Sequence, residues 1–402
     1  MFAFEEARQR VLEGVTPLAD RESLAPWHTL GRILAEDIRA PFDVPSLPNS
    51  ARDGYALRGS DLAAGGTLHL RVVAEVPAGS YYEREIGAGE AVRILTGAPL
   101  PPGADTVVMQ EHVERVGDFV DVPATAVKPG DNVRPRGEDV EADAVVLEQG
   151  TLIRPQEMGL LASLGLTRVW VTRCPRVAVL STGNEVVEPG NPRGPAQIFD
   201  SNRYSLIGLL QLLGVEAVDI GIVGDDAGAL RQAFLTASER ADAILTSGGV
   251  SVGTYDLVKD VLAEVGSIDF WRVKMRPGGP QAYGRIGQAY FFGLPGNPVS
   301  AMVVFLEMVQ PALWRLMGRK DWEPVRFKAR LRESIRKRPG LMEFQRGIVS
   351  YAEHGWEVAT TGPQGSGILR SMVKGNCLIL LEEQHGDYAA GEEVWVEPFA
   401  MS

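Results

Sequence analysis

Pro175-Arg176-Val177-Ala178-Val179-Leu180-Ser181-Thr182-Gly183-Asn184-Glu185 is the stretch that decides the fold. Four consecutive apolar residues, closed by Ser-Thr-Gly, describe a short strand buried on both faces, which is how strands of a parallel sheet read. Working outward, helical spacing follows over 202–213, an apolar segment over 215–223, a helix over 226–240, a strand over 243–245 and a helix over 255–265. This alternation predicts repeated βαβ units, a parallel sheet with helices on its faces.

Two more strands, 281–286 and 289–294, and a long helix, 298–317, close that unit. Beyond Asp321 short strands recur at 327–331, 344–350, 356–360, 377–381 and 393–396, predicting a small C-terminal β-domain. Upstream, apolar residues at helical spacing predict helices over 4–13 and 29–39, ended by the Pro-rich connector 41–48. Residues 66–147 then change texture to short Val, Leu and Ile runs punctuated by Gly and Pro, an all-β insert, and 156–164 read as a helix.

The chain has 402 residues, enough for two to four domains at roughly 150 residues each. A composition of 45% hydrophobic and 23% charged residues is that of a soluble globular protein. The formal charge of −12 argues against nucleic-acid binding, which would need a strongly localised basic surface. Cys174 and Cys377 are too few for a disulfide framework, and a reducing cytoplasm is expected. The N-terminus lacks a signal-peptide pattern, and the longest apolar stretch, 299–317, is interrupted by Glu307, Gln310, Pro311 and Arg315, so no membrane span is expected. The five histidines are dispersed, without the spacing of a zinc hydrolase.

In open parallel sheets, ligands bind where strands end and helices begin, because backbone N–H groups are free there. Three segments are expected at such places: Ser181–Glu185, the Gly-rich turn Ser247-Gly248-Gly249-Val250-Ser251-Val252-Gly253, and 293–300, in which Asn297 can cap a helix and Ser300 lies in its first turn. The glycines alone also explain a tight turn, and the cap alone a helix start. Arg272, Lys274 and Arg276 alternate and are expected on one strand face, either as an anion site or as a solvated edge. Glu185, Asp200, Asp225, Asp226 and Asp256 follow strands or open helices. Each could be a simple cap, yet together near a phosphate loop they would suit Mg²⁺.

The block Pro45-Ser46-Leu47-Pro48-Asn49-Ser50-Ala51-Arg52-Asp53-Gly54-Tyr55-Ala56 closely resembles the signature of the molybdopterin molybdenumtransferases, the MoeA family that includes the gephyrin E domain. The likeness continues through 94–101, 109–111, Arg136-Gly137-Glu138-Asp139, 181–185, Asp200-Ser201-Asn202-Arg203, 247–253, Pro295-Gly296-Asn297-Pro298, Phe344-Gln345-Arg346-Gly347 and Gln364-Gly365-Ser366. The resemblance implies an α/β and β multidomain protein. Its parts would be a MogA-like three-layer domain (1–26 and 174–320), a linking and dimerisation domain (27–46 and 140–173), a β-rich insert (47–139) and a C-terminal β-barrel (321–402).

It also implies a cytoplasmic homodimer that inserts molybdate into adenylated molybdopterin with Mg²⁺ and releases AMP. Transient contact with a MogA-type adenylyltransferase and with molybdoenzyme acceptors would follow. By motif, Asp53, Thr96 and Asp139 would reach the cleft, from the partner subunit. Glu185, Asp200 and Asp256 would serve Mg²⁺ and substrate, and Ser247, Gly248, Gly249, Ser251 and Gly253 would cradle phosphate. Arg276, Ser300, Arg346 and Ser366 would surround the oxyanion, and Arg272 and Pro277 would also bind the cofactor. Relatives commonly carry lysine at the positions of Arg272 and Arg276, which leaves molybdate or tungstate preference open. A MogA-like adenylyltransferase and a gephyrin-like scaffold are the alternatives.

Overall fold

The computed structural model describes residues 1–249 and 257–399, so Ser251, Gly253 and Asp256 lie outside the described residues. The chain forms two compact units. One comprises Met1–Glu36, Gly150–Met158 and Thr167–Ser402, the other Asp37–Gln149 and Gly159–Leu166.

In the first unit a six-stranded sheet runs in the order Glu216–Val223, Arg176–Thr182, Ala243–Ser247, Ala289–Leu294, Pro280–Ile286 and Ser267–Arg272. The first four strands are mutually parallel, and Pro280–Ile286 runs antiparallel to both of its neighbours. Arg176–Thr182 is buried from its second residue onward, as its apolar run requires. Its side chains alternate between two cores. Val177 and Val179 pack with Leu206, Leu210 and Phe305 on one face, whereas Ala178 and Leu180 pack with Leu230, Phe234 and Val261 on the other. The result is a three-layer α/β arrangement.

The expected helices appear at Phe4–Gly14, Asn202–Leu212, Ala227–Arg240 and Leu257–Val265. Asp226 caps the third of these, accepting from Ala229 N–H at 2.8 Å. The long helix begins at Pro298 and ends at Leu316, but Phe305–Val309 is a π-helical turn. It is the one helix among the described residues long and apolar enough to cross a membrane, and 78% of its most apolar window is buried inside the fold.

A second six-stranded sheet follows the order Met275–Arg276, Met342–Ala352, Gly355–Thr360, Phe327–Leu331, Glu393–Pro398 and Cys377–Leu381. Pairing of Met342–Ala352 with Cys377–Leu381 closes five of these strands into a barrel.

Two expectations fail here. The segment 29–39 is not a helix: Gly31 has φ +75°, Ile33 and Leu34 bridge Leu152 and Val171, and Ile38–Arg39 is a strand. Apolar residues at positions 30, 33 and 34 suit a helix, but β-bridging satisfies the backbone first. Nor do Arg272, Lys274 and Arg276 share a face. Arg272 ends the α/β sheet opposite Pro280, while Arg276 pairs with Glu343 in the barrel sheet. The chain crosses from one sheet to the other between them, so strand alternation does not extend across the cluster.

The other unit holds a sheet in the order Thr106–Met109, Gly54–Leu57, Glu90–Ile94, Thr67–Val76, Phe119–Pro123 and Glu114–Val116. Gly54–Leu57, which begins inside the signature block, is a fully buried strand between two neighbours. A Cβ at Gly54 would overlap the Val108 carbonyl oxygen, which is why glycine follows Asp53 there.

Candidate active site

The described parts of the three loop segments lie at the C-terminal ends of adjacent parallel strands, where Ser181 is in register with Ser247 and Ser247 with Leu294. One side chain stitches two of the loops together. The Asn202 amide donates to Ser247 Oγ at 2.6 Å and to the Gly296 carbonyl at 2.7 Å. Gly248 N–H donates to Leu294 O at 3.1 Å. Gly248 and Gly249 have φ of +97° and +67°, and a Cβ on Gly248 would lie 2.9 Å from the Thr182 carbonyl oxygen, so both the left-handed backbone and the close approach require glycine. Asn202 was visible in the sequence only as part of a motif; its bridging role depends on the strand order.

The carboxylates at these ends are unequal. Glu185 is exposed, and its carboxylate has no cationic partner among the described residues. Asp200 is buried, accepting from Ser181 Oγ at 3.0 Å, Arg203 N–H at 3.1 Å and Arg203 Nε at 2.9 Å. Arg203 also pairs with Asp219 and Glu188. Asp225 accepts from Asn184 N–H at 3.2 Å. Among the described residues no group of three or more His, Cys, Asp or Glu converges to hold a metal ion. Glu185 fits Mg²⁺, which usually takes one or two carboxylates plus substrate oxygens. Asp200, committed to Arg203, does not, and Asp256 lies outside the described residues.

A second feature lies at the barrel. Arg276, Pro277, Glu343, Arg346, Gln364 and Gly365 help line a cavity of about 420 Å³. Arg346 is 1% exposed, and its guanidinium donates to Ser371 Oγ at 3.0 Å, Gly365 O at 3.2 Å and Phe344 O at 3.4 Å. All three acceptors are neutral. Burial lowers the Arg346 pKa to about 10, still cationic at neutral pH. Gln364 accepts from Arg346 N–H at 2.8 Å and holds the loop that carries Ser366. Val299 N–H donates to Ser366 O at 3.1 Å, which fixes the Ser366 backbone against the start of the long helix, next in sequence to buried Ser300. Lys274 is paired with Glu383 at 2.8 Å, and Arg272 is exposed.

In the other unit Asp53 and Thr96 are joined: Thr96 N–H and Oγ1 each donate to Asp53 Oδ1 at 2.7 Å. These bonds, the backbone one foremost, hold the Asp53 carboxyl below its ordinary pKa. Asp139 is exposed, its N–H donating to Val44 O at 2.9 Å.

Comparison with known proteins agrees along the chain. Residues 2–165 match the model of the MoeA N-terminal region (domain I and II), 178–315 that of a probable molybdopterin binding domain, and 328–399 that of the MoeA C-terminal region (domain IV). The molybdopterin molybdenumtransferase of Haemophilus influenzae is 43% identical over 99% of both chains. That of a Nostoc species is 37% identical over 94% of this chain and 88% of its own. A crystal structure of the molybdopterin biosynthesis MoeA protein from Pyrococcus horikoshii superposes with TM-score 0.87 at 32% identity, covering 99% of this chain and 100% of its own. Full-length similarity at this level, on the same order of domains, makes the chain a member of the MoeA, or molybdopterin molybdenumtransferase, family.

Proposed function

We propose that this chain is the transferase of molybdenum cofactor biosynthesis that inserts molybdate into adenylated molybdopterin and releases AMP. One observation carries the reading: Arg346 is buried beside a polar cavity with only neutral acceptors around it. A guanidinium removed from water without a counter-charge is costly, and an oxyanion would both neutralise it and use its fork of donors. The loops after Thr182 and Ser247 and the start of the helix at Pro298 would receive the nucleotide-capped pterin, since ligands of such sheets bind beyond the C-terminal ends of the parallel strands. Asp53 and Thr96 are proposed to complete the site from the partner subunit, with Asp139.

Glu185 would hold Mg²⁺, which when bound neutralises charge on the phosphoanhydride oxygens. Everything else asked of the protein is binding and positioning by its own donors. A homodimer is supported by an apolar groove of about 760 Å³ in the first unit, where Leu212, Val325 and Val373 are 75%, 60% and 80% exposed. Two unpaired cysteines support a cytoplasmic setting, and we retain the four-domain division and transient contact with an adenylyltransferase and acceptor enzymes as part of the same reading.

The test supplies adenylated molybdopterin, Mg²⁺ and molybdate, and follows AMP together with metal-loaded cofactor. Coupled appearance of both is expected. Accumulation of the adenylate from ATP and molybdopterin would instead identify an adenylyltransferase, and absence of any turnover a scaffold.

A further inference from the structure

The cavity beside Arg346 contains a guanidinium that the motifs did not single out. Arg336 stands between buried Ile335 and Lys337, is itself exposed, and lines the same cavity as Arg276 and Arg346. The backbone that carries it is anchored on both sides. Ile335 and Tyr388 exchange backbone hydrogen bonds of 2.9 Å, and Lys337 N–H donates to Asp387 Oδ1 at 2.7 Å. The Lys337 ammonium is turned away from the cavity, donating to the His385 carbonyl at 2.9 Å. Arg336 is thus presented by a fixed loop.

The charges of the cavity sort themselves by partner. Arg276 Nη1 lies 3.6 Å from Glu343, a carboxylate 6% exposed that also accepts from Gln345 at 3.2 Å. Glu333 accepts from Thr360 N–H at 2.8 Å and Thr360 Oγ1 at 2.6 Å. Arg346 has neutral acceptors, and Arg336 has no hydrogen-bond or ion-pair partner among the described residues. Two guanidiniums without an ion-pair partner, one buried and one exposed, therefore line one polar cavity, in which three guanidiniums, Arg276, Arg336 and Arg346, stand against two carboxylates, Glu333 and Glu343. The excess of positive charge in the lining favours an anionic ligand there.

We propose that Arg336 is a second oxyanion-binding residue, which takes a tetrahedral dianion at the exposed side of the cavity while Arg346 holds it from within. The proposal rests on the reading of this cavity given above. It assigns Arg276 a lesser share, because Glu343 already neutralises it.

The test uses the full-length protein, equilibrium dialysis against molybdate, and AMP release at varied molybdate. Arg336→Ala is expected to raise the molybdate needed for half-maximal turnover about ten-fold, with the loss recovered at saturating molybdate and binding of adenylated molybdopterin kept. Arg336→Lys should recover part of the affinity, since charge remains and the planar fork is lost. A fall in kcat without a change in molybdate requirement would mark a structural role and overturn the proposal. Arg346→Ala separates the two levels of argument. If it raises the requirement and Arg336→Ala does not, the role of Arg336 falls and the cavity assignment stands; if neither variant moves it, the cavity assignment falls as well.

Discussion

Arg203 and Arg346 are 4% and 1% exposed, and their surroundings are opposite. Arg203 is ringed by Asp200, Asp219 and Glu188, a finished network that ties the start of one helix to the neighbouring strand. Arg346 has no carboxylate among its acceptors, so its charge is available to a ligand. Removing Arg203 would leave the buried Asp200 carboxylate with Ser181 Oγ and the residue-203 N–H as its remaining donors. Arg203→Ala is therefore expected to cost about 3–5 kcal/mol in urea unfolding, because an uncompensated buried charge remains. A loss below about 1 kcal/mol would show that the network carries little. The i, i+3 spacing of Asp200 and Arg203 is visible in the sequence, yet it did not reveal that the carboxylate was already committed. Which partner a carboxylate takes depends on rotamer and burial, and neither is written in local spacing.

At the scale of elements, the long helix shows how a misfit residue is accommodated. Glu307 interrupts its apolar run, sits in the π-helical turn, is fully buried, and accepts from Arg326 Nη2 at 3.0 Å. Arg326 also donates to buried Glu397 at 2.7 Å. Burial first, then the nearby Glu397, push the Glu307 carboxyl well above its ordinary pKa of 4.5, against the pull of Arg326 and Arg8. A carboxyl whose native pKa is raised stabilises the fold fully below its ordinary value, and that contribution is lost as pH rises through the raised one. Glu307→Gln cannot ionise, so its melting temperature should gain on the parent's progressively above pH 4.5. Melting curves that stay parallel from pH 5 to 9 would contradict this. The failed helix over 29–39 teaches the complementary lesson: apolar spacing was compatible with a helix, but the backbone partners at Leu152 and Val171 come from distant sequence.

At the scale of the molecule, the first unit exposes an apolar groove in which Leu212 is 75% and Val373 80% exposed. Patches of that kind mark association surfaces. If the proposed homodimer uses this groove, the parent is expected to scatter light as a dimer and Leu212→Glu as the 43.5 kDa monomer; a monomeric parent would overturn the proposed dimer, and a dimeric variant the role of the groove. The alternation of apolar segments and turns, the buried strand at 177–180 and the loop motifs were all legible in the chain itself. They follow from local periodicity and from backbone conformations that only certain residues adopt. Sheet order, the closure of the barrel, the division of Arg272 and Arg276 between two sheets, and the pairing of Asp200 with Arg203 were decided only by tertiary structure. Each depends on which distant segments become neighbours, and burial and charge compensation are properties of that neighbourhood rather than of any one stretch.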